Sequence, residues 1–469
     1  MTDAAKIKDT RRKLEAAGVE YCYASYVDVH GVPKAKVVPL VSFEKMAAGS
    51  ELFTVGAMDG MGLVGPEKDE CAAVPDLDSL IVLPWDKRFA WFASDLHYHG
   101  KPYVNCSRVL LKRRVEAARR AGFIFNIGVE TEFYMFRKGP DGVTPLVDTR
   151  FKGPCPAYDV YQTSRATPYI EPLVRYMNEL GWGVYSFDQE GGHSQYEMDF
   201  AYADALTMSD RLTFFRFMAK TVAAETGAVA SFMPKPFAND FRSGAHFNMS
   251  LADVRSGKNM FDPKNNPVGA LAKRHQIAVP DITFHFTGGL LKHAPALAAV
   301  ACPTFNSYKG LIAQGDMPDM SWAPVLRCYG RNNRSAMLRL PMNRYCIENR
   351  SPDISTNFYL TAALSLAAGL DGMQHRIDPG PPWNDNLYDV ESAKGKVARN
   401  GHGGDNEARP QRLPRTLIEA LDAFEDNALA ERTFGKEFCD IYVRQKTKEW
   451  EHGFYRVGVE ERAEMLDFV

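Results

Sequence analysis

Gly128-Val129-Glu130-Thr131-Glu132-Phe133 follows the apolar run Phe123-Ile124-Phe125-Asn126-Ile127, which reads as a buried strand, so Glu130 and Glu132 project from one face. Neighbouring carboxylates near a core raise each other's pKa and are costly to desolvate. The pair therefore needs a shared proton, basic partners or divalent cations. Taken alone, Glu-x-Glu on a strand is ordinarily a solvent-facing pair, so the remaining segments decide between the two readings.

The bulk properties narrow the field. The chain has 469 residues, 45% hydrophobic and 24% charged, with net charge −2. That is too long for one small core and suits a small domain followed by a larger one. No long basic or acidic block is present, so nucleic acid is not an expected partner. The longest clean apolar run, Tyr359 to Leu370, is too short to span a bilayer, and Met1 to Lys6 lacks the apolar core of a signal peptide, so the expectation is a cytoplasmic protein without membrane contact. Eight scattered cysteines without zinc-type spacing read as reduced, mostly buried thiols.

From the N-terminus, an amphipathic helix over Ala5 to Ala17 leads to a strand at Tyr21 to Val27, a turn at Gly31 and Pro33, and a second strand. Short strands follow at 81–85 and 90–93. The first hundred residues read as a small mixed sheet, and a helix over Cys106 to Ala121 opens the larger part. A glycine-rich loop, Gly56 to Gly62, carries Asp59, which is either part of a flexible turn or the edge of a neighbouring active site.

The larger part alternates helices and strands. A helix near Ile170 to Leu180 precedes a segment in which Glu190 and Glu197 flank Gly191-Gly192, a turn that lets both acids converge. His193 and Asp199 lie there too, and periodicity leaves open which acids turn inward. A long helix, Ala203 to Thr226, leads to Phe232-Met233-Pro234-Lys235-Pro236. On the strand after it, His246, Asn248 and Ser250 share a face. Arg339 sits in an apolar strand where an unpaired guanidinium is costly. On the next strand, Cys346, Glu348 and Arg350 share a face. Structural ion pairs account for any one of these residues, but less readily for all of them.

In this order, Gly-x-Glu-x-Glu-Phe, Glu190 and Glu197, Phe-Met-Pro-Lys-Pro, Ser-Gly-x-His, Asn306-Ser307-Tyr308-Lys309, Asn333-Arg334-Ser335-Ala336 and Ile347-Glu348-x-Arg350 resemble the glutamine synthetase superfamily from about Val27 onward. The tail, with Asn384 to Asp389, Thr416 to Ala423 and Lys436-Glu437-Phe438, is most similar to its γ-glutamylmethylamide synthetase (glutamate-methylamine ligase) branch. The resemblance implies an α+β fold: an N-terminal β-grasp domain at 1–104, and a catalytic domain at 105–469 with a curved antiparallel sheet flanked by helices. It also implies a homo-oligomer, a dodecamer of two stacked hexameric rings with active sites at subunit contacts.

By position, the resemblance gives one divalent metal to Glu132, Glu190 and Glu197, and another to Glu130, His246 and Glu348. It places Lys235, Asn248 and Ser250 around the nucleotide. Arg334, Arg339 and Arg350 contact phosphate and the substrate carboxyl group, Arg242 and Gly244 belong to the acid site, and Asp59 stands where an ammonium-binding aspartate is found. The implied substrates are ATP, glutamate and a small amine, methylamine before ammonia or larger amines. The implied reaction forms γ-glutamyl phosphate and then a γ-glutamyl amide. Five carboxylates carry −5 against +4 from two Mg²⁺ or Mn²⁺ ions, and ATP adds negative charge, so the arginines have a physical reason to be there.

The chain departs from the family in four places. Asn248 replaces a second histidine, Gly310 stands where a carboxylate-binding arginine follows Asn306 to Lys309, the loop Gly315 to Asp319 lacks a flap glutamate, and Phe241-Arg242 replaces Asn-Gly. Arg242 is expected to supply the charge missing at Gly310; otherwise the acid substrate is not glutamate. Tyr388 resembles a modified tyrosine of some relatives, although a surface aromatic is the plainer reading.

Overall fold

Gly31, with φ +75°, turns the chain between Tyr21–Val27 (β1) and Pro33–Pro39 (β2), which pair antiparallel. The structure, a computed structural model, describes residues 4–139, 142–146, 155–317, 320–392, 410–459 and 461–462. In chain order the next strands are Glu51–Phe53 (β3), Cys71–Pro75 (β4), Ile81–Val82 (β5), Phe89–Tyr98 (β6) and Lys101–Pro102 (β7). They form a seven-stranded sheet ordered β2-β1-β6-β4-β3, with β5 and β7 also on β6. β1 and β6 run parallel and the other pairs antiparallel, as the mixed sheet read from the sequence requires.

The second sheet contains Phe123–Gly139 (β8), Gly142–Pro145 (β9), Val184–Gln189 (β10), Gln195–Phe200 (β11), Ala203–Asp204 (β12), Val229–Ser231 (β13), Ala245–Asp253 (β14), Tyr329–Arg331 (β15), Leu338–Leu340 (β16) and Ile347–Asn349 (β17). Its order is β10-β11-β8-β14-β17-β16-β15, with β9, β12 and β13 also on β8. Every pair is antiparallel except β15 with β16. β8 is the spine, and its alternate residues Phe125, Ile127, Val129 and Thr131 are buried. The opposite parity carries Glu130 and Glu132.

Helices cover the buried face. Asp281–Lys292 and Phe358–Gln374 cross at glycines: a Cβ on Gly289 would stand 2.0 Å from the Ala368 carbonyl oxygen, and one on Gly372 would stand 2.1 Å from that of His285. Backbone rather than a flexible side chain is the obstacle, so the helices must separate if either glycine gains a methyl group. Gly289→Ala should destabilise the protein by about 1–3 kcal/mol, read as a lower denaturant midpoint; an unchanged midpoint would refute this packing.

One helix starts earlier than expected. The helix read near Ile170 begins at Val160 and runs to Glu179, with Pro168 and Pro172 inside it. Asp159 caps it by accepting from the Gln162 N–H at 2.8 Å. Prolines ordinarily break helices, and here packing holds both within one.

Buried polar links tie the first sheet to the helices of the larger part. The Arg108 guanidinium, 3% exposed, binds Asp210 and Asp76 at 2.9 Å and Asp95 at 2.7 Å. Asn357 caps the helix Phe358–Gln374, and its amide donates to the carbonyls of Asp28 and Val29 at 3.3 and 3.2 Å, which fixes the β1–β2 turn against the catalytic part. All eight cysteines are free thiols. Among the described residues no helix is long and apolar enough to cross a membrane.

Candidate active site

A cavity of about 590 Å³ lies over the β8 carboxylates. Sheet register brings its ligand-type side chains together: Glu130 on β8 is opposite His246 on β14, and Glu132 is opposite Glu197 on β11. Glu197 in turn faces Asp188 on β10. The Glu190-Gly191-Gly192 turn follows β10, and the Glu190 carboxylate accepts from the Gly191 N–H at 2.9 Å.

Among the described residues two triplets have ligand atoms within 4.8 Å of one another: Glu132, Glu190 and Glu197, and Glu130, Glu197 and His246. Glu197 belongs to both. The His246 ring nitrogens lie 3.0 Å from Glu130 and 3.5 Å from Glu132. Gly244 donates its N–H to Glu132 at 2.7 Å, and Gln195 ties Glu132 to the carbonyl of Arg242 at 3.3 and 2.9 Å.

Glu348, expected beside His246 as a ligand, is placed differently. It is fully buried and bound by Arg339 at 2.6 Å, Arg350 at 2.8 Å and Arg344 at 3.3 Å. Arg339 and Arg344 share its Oε2 and Arg350 binds its Oε1, and it stands outside both triplets, the second of which has Glu197 as its third member. Arg344 also reaches Glu130 and Asn248, each at 2.9 Å. The Asn248 amide donates to Glu130 at 3.0 Å, so Asn248 acts on a member of a triplet.

Electrostatics separate the acids. Burial alone would raise the Glu130 carboxyl, but the hydrogen bond and charge of His246, with Asn248 and Arg344, hold it down to about 2. Burial and the charge of Glu132 push Glu190 up to about 8. Burial, then Glu130, Glu190 and Glu132, push Glu197 up as well. Asp188 is raised to about 6 and Asp199 to about 7, in each case mainly by burial. Acids raised in this way resist being ionised together, and a bound cation would favour their charged forms. With carboxylate oxygens and one imidazole nitrogen as donors, the set fits hard divalent cations such as Mg²⁺ or Mn²⁺.

The remaining expected residues divide. Arg242, Gly244, Arg334, Arg339 and Arg350 all line the cavity. Lys235 and Ser250 do not. The Lys235 ammonium is buried against the Asp240 carbonyl and the Met317 sulfur, and burial lowers it to about 8. Ser250 lies farther along β14, opposite Asn126. Asp59 is exposed, follows the 3-10 turn Val55–Ala57 and does not line its own chain's cavity. Tyr388 is no surface aromatic: it is 7% exposed and donates to the Ala323 carbonyl at 2.8 Å. Of the loop expected to lack a flap acid, Pro318 and Asp319 lie outside the described residues.

Asp199, left open by the sequence, lines the cavity, and sequence reading missed Asp188 and Arg344, together with two rim aromatics, Tyr158 (φ +61°) and Trp322 (φ +58°). Bulky residues at positive φ are strained and cluster at functional sites. Parity could have found the two aspartates: Asp188 lies two residues from Glu190, and Asp199 two from Glu197, which on strands puts each pair on one face.

The glutamine synthetase catalytic-domain family matches residues 104–465. The glutamate-methylamine ligase of Methyloversatilis universalis is 38% identical over 444 residues, 94% of this chain and 95% of that protein. The glutamine synthetase of Rhizobium leguminosarum bv. phaseoli is 35% identical over 441 residues, 92% and 93% of the two chains. Among solved structures, a GmaS/ADP complex matches with TM-score 0.86 at 33% identity, covering all of both chains.

Proposed function

Because the chain belongs to the glutamine synthetase family, we propose that it is an ATP-dependent ligase joining the γ-carboxyl group of L-glutamate to methylamine, with release of ADP and phosphate. The observation that carries this reading is one cavity in which two triplets of ligand-type side chains, one all carboxylate and one with His246, share Glu197 and face Arg334, Arg339, Arg344 and Arg350. Phosphoryl transfer is largely a matter of positioning and charge neutralisation, and that arrangement provides both. Two divalent cations held by the triplets would neutralise the phosphates of ATP. Glu348 fixes the guanidiniums of Arg339 and Arg350 before any anion arrives, so they need no reorganisation as the γ-carboxylate takes up the phosphoryl group. The product of that step is γ-glutamyl phosphate, and the amine displaces phosphate from it.

Methylamine is a cation at neutral pH, since an alkylammonium has a pKa of roughly 10.4; the carboxylates of the site attract it, and a carboxylate must take its proton before the free amine can attack the acyl phosphate. Asp59 is exposed and outside its own chain's cavity, so its part in amine capture is proposed across a subunit contact. That goes with assembly as a homo-oligomer, a dodecamer of two hexameric rings.

Phosphate release with glutamate, ATP and Mg²⁺ or Mn²⁺ should be measured against ammonia, methylamine, ethylamine, ethanolamine, putrescine and aniline. The expected result is a kcat/KM for methylamine about tenfold or more above that for ammonia, within the range that one methyl group is worth in a binding pocket. Preference for ammonia would overturn the amine assignment. No turnover with any amine would overturn the glutamate ligase reading.

A further inference from the structure

Five arginines line the cavity: Arg242, Arg334, Arg339, Arg344 and Arg350. Arg339, Arg344 and Arg350 are all bound to Glu348, and Arg334 is exposed. Arg242 differs from all four. It is 6% exposed, and no carboxylate among the described residues is within ion-pair distance of it. Its Nη2 donates to the Ser351 carbonyl at 2.5 Å, while Nη1 is buried with no hydrogen-bond partner. Asp353, the buried acid that feels its charge, accepts at Oδ1 from the Ser355 N–H and hydroxyl at 2.8 and 2.5 Å, while its Oδ2 has no hydrogen-bond partner and lies beyond ion-pair distance of the guanidinium. A buried guanidinium left without an anion is costly, so a cation held this way beside a cavity points to an anion that arrives with the substrate.

Gly310 explains how the side chain reaches that place. A Cβ at 310 would stand 2.8 Å from the Arg242 Cβ and 2.9 Å from its Cδ. The residue has no positive φ, so glycine is there for space rather than for backbone conformation. The aliphatic stem of Arg242 fills the volume that any other residue at 310 would claim, and positions 242 and 310 form a matched pair.

We propose that Arg242, seated in the space Gly310 leaves, binds the α-carboxylate of the acid substrate and selects an α-amino dicarboxylic acid over its decarboxylated counterpart. This rests on the reading of glutamate as the acid. Glutamate carries two carboxylates: the γ-carboxylate must meet the phosphoryl group beside the acidic triplets, and the α-carboxylate needs a separate cation. The arginines bound to Glu348 are already committed to a carboxylate, whereas Arg242 is buried and free to take one.

The test compares L-glutamate with 4-aminobutyrate, which keeps the reacting carboxylate and lacks the α-carboxylate, in the methylamine-dependent phosphate-release assay. Arg242→Ala should lower kcat/KM for glutamate about a hundredfold, mainly through KM, as expected when one side of a buried charged contact is truncated. The values for 4-aminobutyrate and the KM for ATP should stay within about threefold, because neither involves the missing contact. A structural role would depress both acids alike, and that result would overturn the proposal, as would an unaltered glutamate KM. Should Arg242→Ala fail to fold, Arg242→Lys and Gly310→Ala decide. Each should raise the glutamate KM with the melting temperature retained, and an unaltered KM in both would overturn the proposal. No glutamate turnover by the wild-type enzyme would overturn the functional reading and with it the ligand named for Arg242. Wild-type turnover with an unaltered KM in the variants would overturn Arg242 alone.

Discussion

Glu197→Gln should lower turnover by at least about a thousandfold, equivalent to about 4 kcal/mol of transition-state stabilisation, because cation neutralisation of a transferring group is worth several kcal/mol. Glu197 belongs to both ligand triplets, so a single amide removes a charged donor from each. The same variant should be more stable than the wild type when metal-free at neutral pH. Burial and three neighbouring glutamates push the Glu197 carboxyl up, which means that its charge opposes folding. Glu190 has the same sense. Its folded pKa is raised from 4.5 to about 8, so its contribution is fully present below about pH 4.5 and lost as pH rises through about 8. Metal-free wild-type protein should therefore melt at lower temperature at pH 8 than at pH 6, and added Mn²⁺ should restore more at pH 8. Glu130 works the other way, since its carboxyl is held down to about 2 and its contribution is lost only in acid. Thermal melts across pH with and without Mn²⁺ check each sign. A metal-dependent shift that survives intact in Glu197→Gln would show that the ion binds elsewhere.

Arg108→Ala should cost about 3–5 kcal/mol, the usual effect of removing one partner of a buried ion pair, with the upper end expected because three aspartates lose their counter-charge at once. Asp210, Asp95 and Asp76 are 10%, 14% and 24% exposed at the side chain, so water compensates them only in part. Lys112 reaches Asp95 at 2.6 Å but Asp76 only at 3.8 Å, which leaves Asp210 without a cation and with only the Tyr359 hydroxyl at 2.6 Å. Arg108→Lys keeps the charge and loses the planar fork, so it should recover part of the loss. Denaturant unfolding measures both variants, and a loss under about 1 kcal/mol in Arg108→Ala would refute the role given to this cluster.

Much of the fold could be read before the structure, and the reason lies in periodicity. Strong alternation in β8 and β14 fixed the faces of Glu130, Glu132 and His246, and the glycine pair at 191–192 announced the hairpin that brings Glu190 to Glu197. What could not be read depended on partners distant in sequence. Glu348 has suitable chemistry for a metal ligand, and only the three-dimensional arrangement shows three arginines already holding it. Lys235 is a basic residue in a conspicuous motif, yet its ammonium turns toward the Asp240 carbonyl. Tyr388 sits among polar residues that suggest a surface, while its side chain is buried and its hydroxyl donates to the Ala323 carbonyl. The helix at Val160–Glu179 keeps Pro168 and Pro172 inside it, because local propensity yields to tertiary packing. The pairing of Arg242 with Gly310 was visible as a change of charge at two positions, and the contact between them became visible only in space.

The register of the central sheet has one more consequence. Glu130 with His246, Glu132 with Glu197, and Arg339 with Glu348 are direct cross-strand partners, so the site is spelled across strands in a single reading frame. Inserting or deleting one residue within β8, β11, β14 or β17 would shift that frame and turn the functional letters to the helix-covered side, since side chains alternate with a period of two. A frameshifted sheet would retain no weakened version of the site. Length changes should therefore be tolerated only in the connections between strands, and binding of Mn²⁺ would be a direct readout that every strand has been set in its proper line.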